Sequence, residues 1–258
     1  MSTFPTLLTA GLLLGLATAA QAQTAPGAAP KIIVPGFEHG STMAPVMDNS
    51  LYVHALLDQF EGRVGGGQNG LKWDGQAWAG TDYNKVWLKS EGFARGKGGV
   101  EDGRHELLYD RPLTTYLDIQ AGVRTDWDSG TGRTWAALGV QGLAPLFFDY
   151  EATTYLSDSG HAALRLAGSY DVLITQRLIL QPEVEMNFYS KADRGRAVGS
   201  GLSDIDAGLR LRYEISRKFA PYVGVAYSGK FGQTADFARK EGEGATAVQF
   251  VFGIRSWF

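Results

Sequence analysis

The sequence predicts an all-β protein, an antiparallel transmembrane β-barrel of about twelve strands, on three observations. Segments such as 117–124 and 205–215 alternate apolar and polar side chains, and several such segments extend over ten or more residues. A tilted membrane strand needs roughly 9 to 11 residues, whereas strands of soluble proteins average about 5 or 6. Short connections alternate with longer, glycine-rich ones. Residues 248–258 alternate in the same way and end on Phe258, which is typical of the closing strand of a bacterial outer-membrane barrel.

Residues 1–22 are predicted to be a signal peptide. The stretch 7–20 is apolar, and Ala20, Gln21 and Ala22 form the small-x-small pattern of a signal peptidase site. The positive charge usual at the start of such peptides is missing before Gly11. An uncleaved anchor is the alternative, but the apolar run is broken by Thr and Gly and is shorter than the roughly 20 residues that span a bilayer. We therefore expect export, with cleavage after Ala22.

Residues 23–49 are rich in Ala, Pro, Gly and Ser and show no periodicity, so a flexible periplasmic segment is expected there. From residue 50 to residue 258 the alternating pattern predicts the barrel. Short connections are expected near 81–84, 111–112, 144–145, 175–177 and 216–218, and longer ones at 62–70, 96–103, 128–132, 191–201 and 232–244. Outer-membrane barrels keep their short turns on the periplasmic side.

Composition narrows the class of protein. The chain has no Cys, 34 Gly and 30 aromatic residues (6 Trp, 11 Tyr and 13 Phe) in 258 residues. Stability therefore comes from the fold and not from disulfides. A charged fraction of 20% and a mean hydropathy of -0.13 argue against a helical membrane bundle. A net charge of -3 gives no electrostatic reason to expect nucleic acid as a partner.

The predicted inner face of the barrel carries charges of both signs. Two interpretations are open: the side chains pair and fill the interior, since buried charges need partners, or they line a polar conduit for a small charged solute. The positions are Asp118, Arg124, Asp126, Glu151, Arg165, Asp171, Glu183, Glu185, Asp204, Asp206, Arg210, Arg212 and Glu214.

Six stretches, in the same order along the chain, resemble the copper resistance protein B family of Gram-negative outer membranes. They are 57–61 (LDQFE), 82–89 (DYNKVWLK), 117–124 (LDIQAGVR), 137–145 (ALGVQGLAP), 199–204 (GSGLSD) and 234–239 (TADFAR). The resemblance covers about residues 48–258. It implies a non-enzymatic outer-membrane protein that binds or passes copper ions and works beside periplasmic copper-resistance proteins.

The candidate copper ligands are few. Cu(I) favours thioether and thiolate donors, and Cu(II) favours imidazole and carboxylate. With no Cys in the chain, we expect His39, Met43 and Met47 of the flexible segment, with His54 of the first strand, to hold the ion, Cu(I) in preference to Cu(II). His54 is expected to face the lumen near the periplasmic mouth. The family's region before the barrel is usually longer and richer in Met and His, which argues against high-capacity storage here.

Other candidates and other classes of protein are weaker. His105 and His161 are expected at loop edges in solvent, and Met186 is expected to face lipid. An outer-membrane phospholipase is a barrel of this size with Ser and His on its lipid face, but no such pair stands out here. A non-selective pore for small solutes, without specific metal binding, is the alternative function.

Overall fold

The computed structural model describes residues 50–67, 69–95, 99–127 and 132–258. The expected signal peptide and flexible segment lie outside these residues, and so do three of the four predicted copper ligands, His39, Met43 and Met47.

Thirteen strand segments account for most of the described chain. They are β1 (Tyr52–Val64), β2 (Gly70–Gly80), β3 (Lys85–Arg95), β4 (Gly99–Thr114), β5 (Leu117–Asp126), β6 (Arg133–Ala144), β7 (Phe148–Ser157), β8 (Ala162–Tyr170), β9 (Val172–Leu173), β10 (Leu178–Tyr189), β11 (Gly201–Tyr213), β12 (Phe219–Lys230) and β13 (Thr246–Trp257). Both β8 and the two-residue β9 pair with β10, so they form one strand that is broken at Asp171. The described chain therefore forms twelve strands, as the sequence predicts.

The sheet closes on itself. Each strand pairs antiparallel with its neighbours, and β13 pairs with β1 through contacts such as Phe60 with Ile254. Ala55 and Phe258 exchange two backbone hydrogen bonds, of 3.0 and 2.8 Å, at the end of this seam. Closure leaves no unpaired strand edge among the described strands, and a membrane strand needs this because lipid offers no hydrogen bonds.

The two faces of the barrel have opposite chemistry. The outer face exposes large apolar side chains, including Leu138 at 55% and Phe250 at 53%, while the inner face buries charged ones, with Glu61 at 0% and Arg210 at 2%. A water-soluble barrel would show the reverse. The alternation predicted for the sequence is confirmed, and the outer face suits lipid.

One predicted turn is wrong. The chain does not turn at Arg111 and Pro112, because β4 continues to Thr114 and the two-residue connection to β5 lies at 115–116. The pairing register shifts between Pro112 and Thr114, and a strand tolerates proline beside such an irregularity. The other four short connections lie where they were predicted, and Pro145–Phe147 forms a 3-10 turn between β6 and β7.

The long connection between β12 and β13 contains a helix that the sequence did not reveal, α1 (Gly232–Lys240). It buries Thr234, Ala235 and Ala238. The hydroxyl of Thr234 accepts a 2.8 Å hydrogen bond from the amide of Gly199 and lies 3.0 Å from the Ser203 hydroxyl. Packing against β11 and its preceding loop holds this nine-residue helix at the long-loop end of the barrel. No helix in the described ranges is long and apolar enough to cross a membrane.

Candidate functional site

The middle of the lumen contains one connected network of ion pairs, here called the central ion-pair layer. Within the described residues it joins seven acidic and six basic side chains of the inner face. Its members are Glu61, Arg63, Lys72, Lys89, Glu91, Arg104, Glu106, Glu151, Arg165, Glu183, Glu185, Asp206 and Arg210. The layer has one more acidic than basic side chain, and it confirms that inward charges of this barrel pair with one another.

The layer crosses the lumen. Arg165 on β8 lies 3.2 Å from Glu91 on β3, and Lys89 on β3 lies 2.8 Å from Glu151 on β7. Lys72 on β2 reaches Asp206 on β11 at 3.2 Å. These partner strands are four or five positions apart in a ring of twelve. Side chains from nearly opposite walls therefore meet, and the layer occupies the cross-section of the barrel.

Two cavities flank the layer. The short-turn chamber has a volume of about 530 Å³ and opens towards the short connections, and the long-loop chamber has about 900 Å³ and opens towards α1. Of the described residues, Glu91 and Arg104 line both chambers. They contact each other directly. The side chains of this pair thus form part of the wall between the two chambers, and the rest of the central ion-pair layer completes it.

The chambers differ in charge. Among the described residues, nine carboxylates and four basic side chains line the short-turn chamber. Nine carboxylates and ten basic side chains line the long-loop chamber. The short-turn chamber is therefore strongly acidic, while the other is close to balanced.

His54 lies on the inner face at the short-turn end, as predicted. Its ring centroid is 6.0 Å from that of Trp78 and 5.7 Å from that of Trp257. Trp78 in turn contacts Trp87, which lines the short-turn chamber. The ammonium of Lys85 lies 5.6 Å from the Trp78 ring centroid. The imidazole thus stands at the mouth of the acidic chamber, between two indoles.

The remaining His and Met residues of the described ranges do not gather around His54. His105 lies within β4 and not at a loop edge as predicted, and its ring packs against Trp127 on the outer face at 5.5 Å. His161 borders the long-loop chamber, with Nδ1 3.1 Å from the Ser159 hydroxyl. Met186 is partly buried, at a position that alternates with the inward Glu185. No group of three or more His, Cys, Asp or Glu side chains in the described ranges could hold a metal ion.

Seven of the thirteen members of the ion-pair layer, all on β1 to β4, were missed by sequence reasoning, because the inward charges were predicted only from β5 onward. A bulge in β1 explains part of this, since the register to β2 shifts between Leu57 and Gln59. A strict period of two therefore cannot continue from His54 to Glu61. In β3 the alternation of Lys85, Lys89 and Glu91 with apolar neighbours was a usable signal.

At the long-loop end, Glu243 joins the loop after α1 to two strands. It accepts hydrogen bonds of 2.7 Å from Arg95 at the end of β3 and 3.0 Å from Lys230 at the end of β12. The hydrogen bond from Arg95 is the largest influence on this carboxyl, and with Lys230 it outweighs partial burial, so the pKa of Glu243 falls from 4.5 to about 2. This carboxylate therefore stays charged throughout the neutral and mildly acidic range.

Glu243→Gln is expected to destabilise the long-loop end at neutral pH. A carboxyl whose pKa is lowered by folding contributes stability above its unfolded pKa and loses it as the pH falls through the folded value. The difference in urea midpoint between wild type and variant should therefore be constant above about pH 5 and shrink towards zero as the pH approaches 2. Asp236→Asn, in an exposed pair on α1, is the control. A difference in urea midpoint that does not change with pH would contradict this stabilising role of the ionised Glu243.

Together, the closed ring of twelve strands, the apolar outer face and the charge-filled lumen define an outer-membrane β-barrel. In fold the chain is similar to a solved structure of the NanC porin, with a TM-score of 0.51 and 12% identity, covering 80% of this chain and 99% of that one. At this identity the likeness concerns the fold alone.

The family is shown by sequence. A family model described as "Copper resistance protein B precursor (CopB)" matches residues 51–258. The chain is 46% identical over 213 residues to "Copper resistance protein B" of Escherichia coli, covering 83% of this chain and 72% of that protein. It is 42% identical, with the same coverage, to the "Copper resistance protein B homolog" of Pseudomonas syringae pv. tomato. The chain belongs to the copper resistance protein B family, and it is located in the outer membrane of a Gram-negative bacterium.

Proposed function

We propose that this protein binds copper at the periplasmic end of the barrel, as its part in copper resistance. The ligands are His39, Met43 and Met47, with His54 as the barrel residue. In this proposal residues 1–22 are a cleaved signal peptide and residues 23–49 are a flexible periplasmic segment. Membership of the copper resistance protein B family supports copper as the ion. Thioether and imidazole donors without Cys support Cu(I).

The observation that carries the proposal is the placement of His54. Its imidazole faces the lumen at the short-turn end, which is the periplasmic end in barrels of this class. His54 follows Met47 by seven residues in the sequence. The neighbouring Trp78 and Trp257 rings provide an apolar surrounding that suits a soft ion better than a hydrated one. If the segment becomes ordered only when copper binds, the loss of conformational entropy opposes binding. We therefore expect moderate affinity.

The central ion-pair layer supports capture of copper in preference to free flow through the barrel. Its carboxylates are engaged by Arg and Lys across the lumen, and it offers no thioether or imidazole. Any passage of copper would have to cross this layer. Periplasmic copper-resistance proteins are the proposed partners on the side where His54 lies.

The test is Cu(I) titration of the refolded chain from residue 23 onward against a competing chelator. Wild type should bind, and His39→Ala with Met43→Ala and Met47→Ala should abolish binding. His54→Ala should weaken affinity on the order of tenfold, about 1.4 kcal/mol. Met186→Leu and His105→Ala, which change a methionine and a histidine off the inner face, are matched controls and should bind as wild type does.

Two outcomes would contradict the proposal. Equal binding by wild type and the triple variant would place the site elsewhere in the chain. Absence of binding by wild type would favour the alternative function, a pore for small solutes without specific metal binding. That alternative is supported by the charged chambers at both ends of the lumen.

A further inference from the structure

Glu91 on β3 and Arg104 on β4 lie in the wall between the two chambers, and among the described residues they are the two that line both. We propose that this pair is a gate that closes the barrel to ions, and that the short-turn chamber behind it selects cations over anions. The inference concerns ion passage and needs no copper site, so it can fail or hold independently of the proposed function.

The pair is held from several walls at once. Glu91 lies 3.2 Å from Arg165 on β8 and 3.6 Å from Lys72 on β2. Arg104 lies 3.4 Å from Glu106 on its own strand and 3.6 Å from Glu185 on β10. Charged groups with this many partners do not rotate aside without leaving a buried charge unpaired, which is costly. The lumen is therefore closed in this structure at the level of Glu91 and Arg104.

Removing both side chains should open the wall without unfolding the barrel. Arg165 keeps Glu185 at 2.8 Å and Glu151 at 3.1 Å. Lys72 keeps Asp206 at 3.2 Å, and Glu106 keeps the Tyr155 hydroxyl at 2.7 Å. One acid and one base are lost, so the net charge of the layer does not change. The volume of two long side chains is freed where the chambers adjoin.

The short-turn chamber has the charge of a cation vestibule. Carboxylates outnumber basic groups nine to four among its described lining residues. No hydrogen bond or ion pair within the described ranges reaches the side chains of Asp74 or Asp149, both of which line it. Acidic linings enclosed by low-dielectric walls concentrate cations and repel anions. The charges that line the long-loop chamber nearly balance, so the preference for cations comes from the short-turn chamber.

The experiment is conductance in planar bilayers with KCl, with purified barrels of wild type and of Glu91→Ala with Arg104→Ala. Wild type should show no conductance steps, and the double variant should show them. In a KCl gradient its reversal potential should give a K⁺ to Cl⁻ permeability ratio above one. Asp236→Ala with Arg239→Ala removes an acid and a base from the exposed face of α1, and this control should be as silent as wild type.

Folding of each variant is checked by its heat-modifiable migration in gels. If the double variant does not fold, Arg104→Ser alone keeps Glu91 paired with Lys72 and Arg165 and should conduct in smaller steps. A folded variant that stays silent, or a wild type that conducts equally well, would overturn the gate. Steps with a preference for Cl⁻ would overturn the cation vestibule.

Discussion

Arg210→Ala is expected to lower the free energy of unfolding by about 3 to 5 kcal/mol. The guanidinium is 2% exposed and donates from Nε and Nη2 to the two oxygens of Glu61, at 2.9 and 3.0 Å. It also donates to Glu183 at 2.9 Å. Truncation leaves the fully buried Glu61 and the partly buried Glu183 with fewer partners inside the barrel. The cost of an uncompensated buried charge is what makes this effect large.

The measurement is urea unfolding in lipid vesicles, followed by tryptophan fluorescence. Arg239→Ala is the control, since its pair with Asp236 is about 60% exposed and should contribute about 0 to 1 kcal/mol. Arg210→Met combined with Glu61→Met should recover much of the loss, because both charges leave together and Arg63 keeps Asp206 at 2.6 Å. A loss no larger than that of the control would mean that water fills the lumen and screens these charges.

The class of fold could be predicted because every strand of a membrane barrel alternates apolar residues that face lipid with polar residues that face the lumen. In β5, the exposed Ile119 and the buried Gln120 are neighbours in sequence and face opposite solvents. That contrast survives wherever the strand is regular. The pattern did not predict that β4 continues through Pro112, beside a register shift. It also did not predict α1, whose nine residues are stabilised by Thr234 packing against the barrel.

The ion pairs inside the lumen were harder to predict from the sequence than the fold. Which charges face inward can be deduced from alternation, but which ones meet depends on the registers around the whole ring. Arg165 and Glu91 are 74 residues apart and lie on strands five positions apart. The bulge in β1, between Leu57 and Gln59, also changes which positions of the strand face inward. The inward position of His54 was nevertheless predicted, since it precedes the bulge.

Leu138→Arg is expected to lower the unfolding free energy in vesicles by about 2 to 4 kcal/mol. Leu138 lies mid-strand in β6, and its side chain is 55% exposed on the outer face. A charge there would stand near the middle of the hydrocarbon layer, where it loses its hydration.

The control for this prediction is a substitution on the same outer face at a shallower depth in the membrane. Thr134 occupies the same outer face of β6, four residues nearer the strand end, and Thr134→Arg should cost only about 0 to 1 kcal/mol because the side chain reaches the interface. The comparison separates a lipid-embedded face from a merely apolar one, since a face in water would tolerate Arg at both positions. Similar small costs at 134 and 138 would show that the outer face of β6 is not embedded at the depth that the twelve-stranded barrel requires. A graded cost would tie the exposed apolar band directly to the membrane.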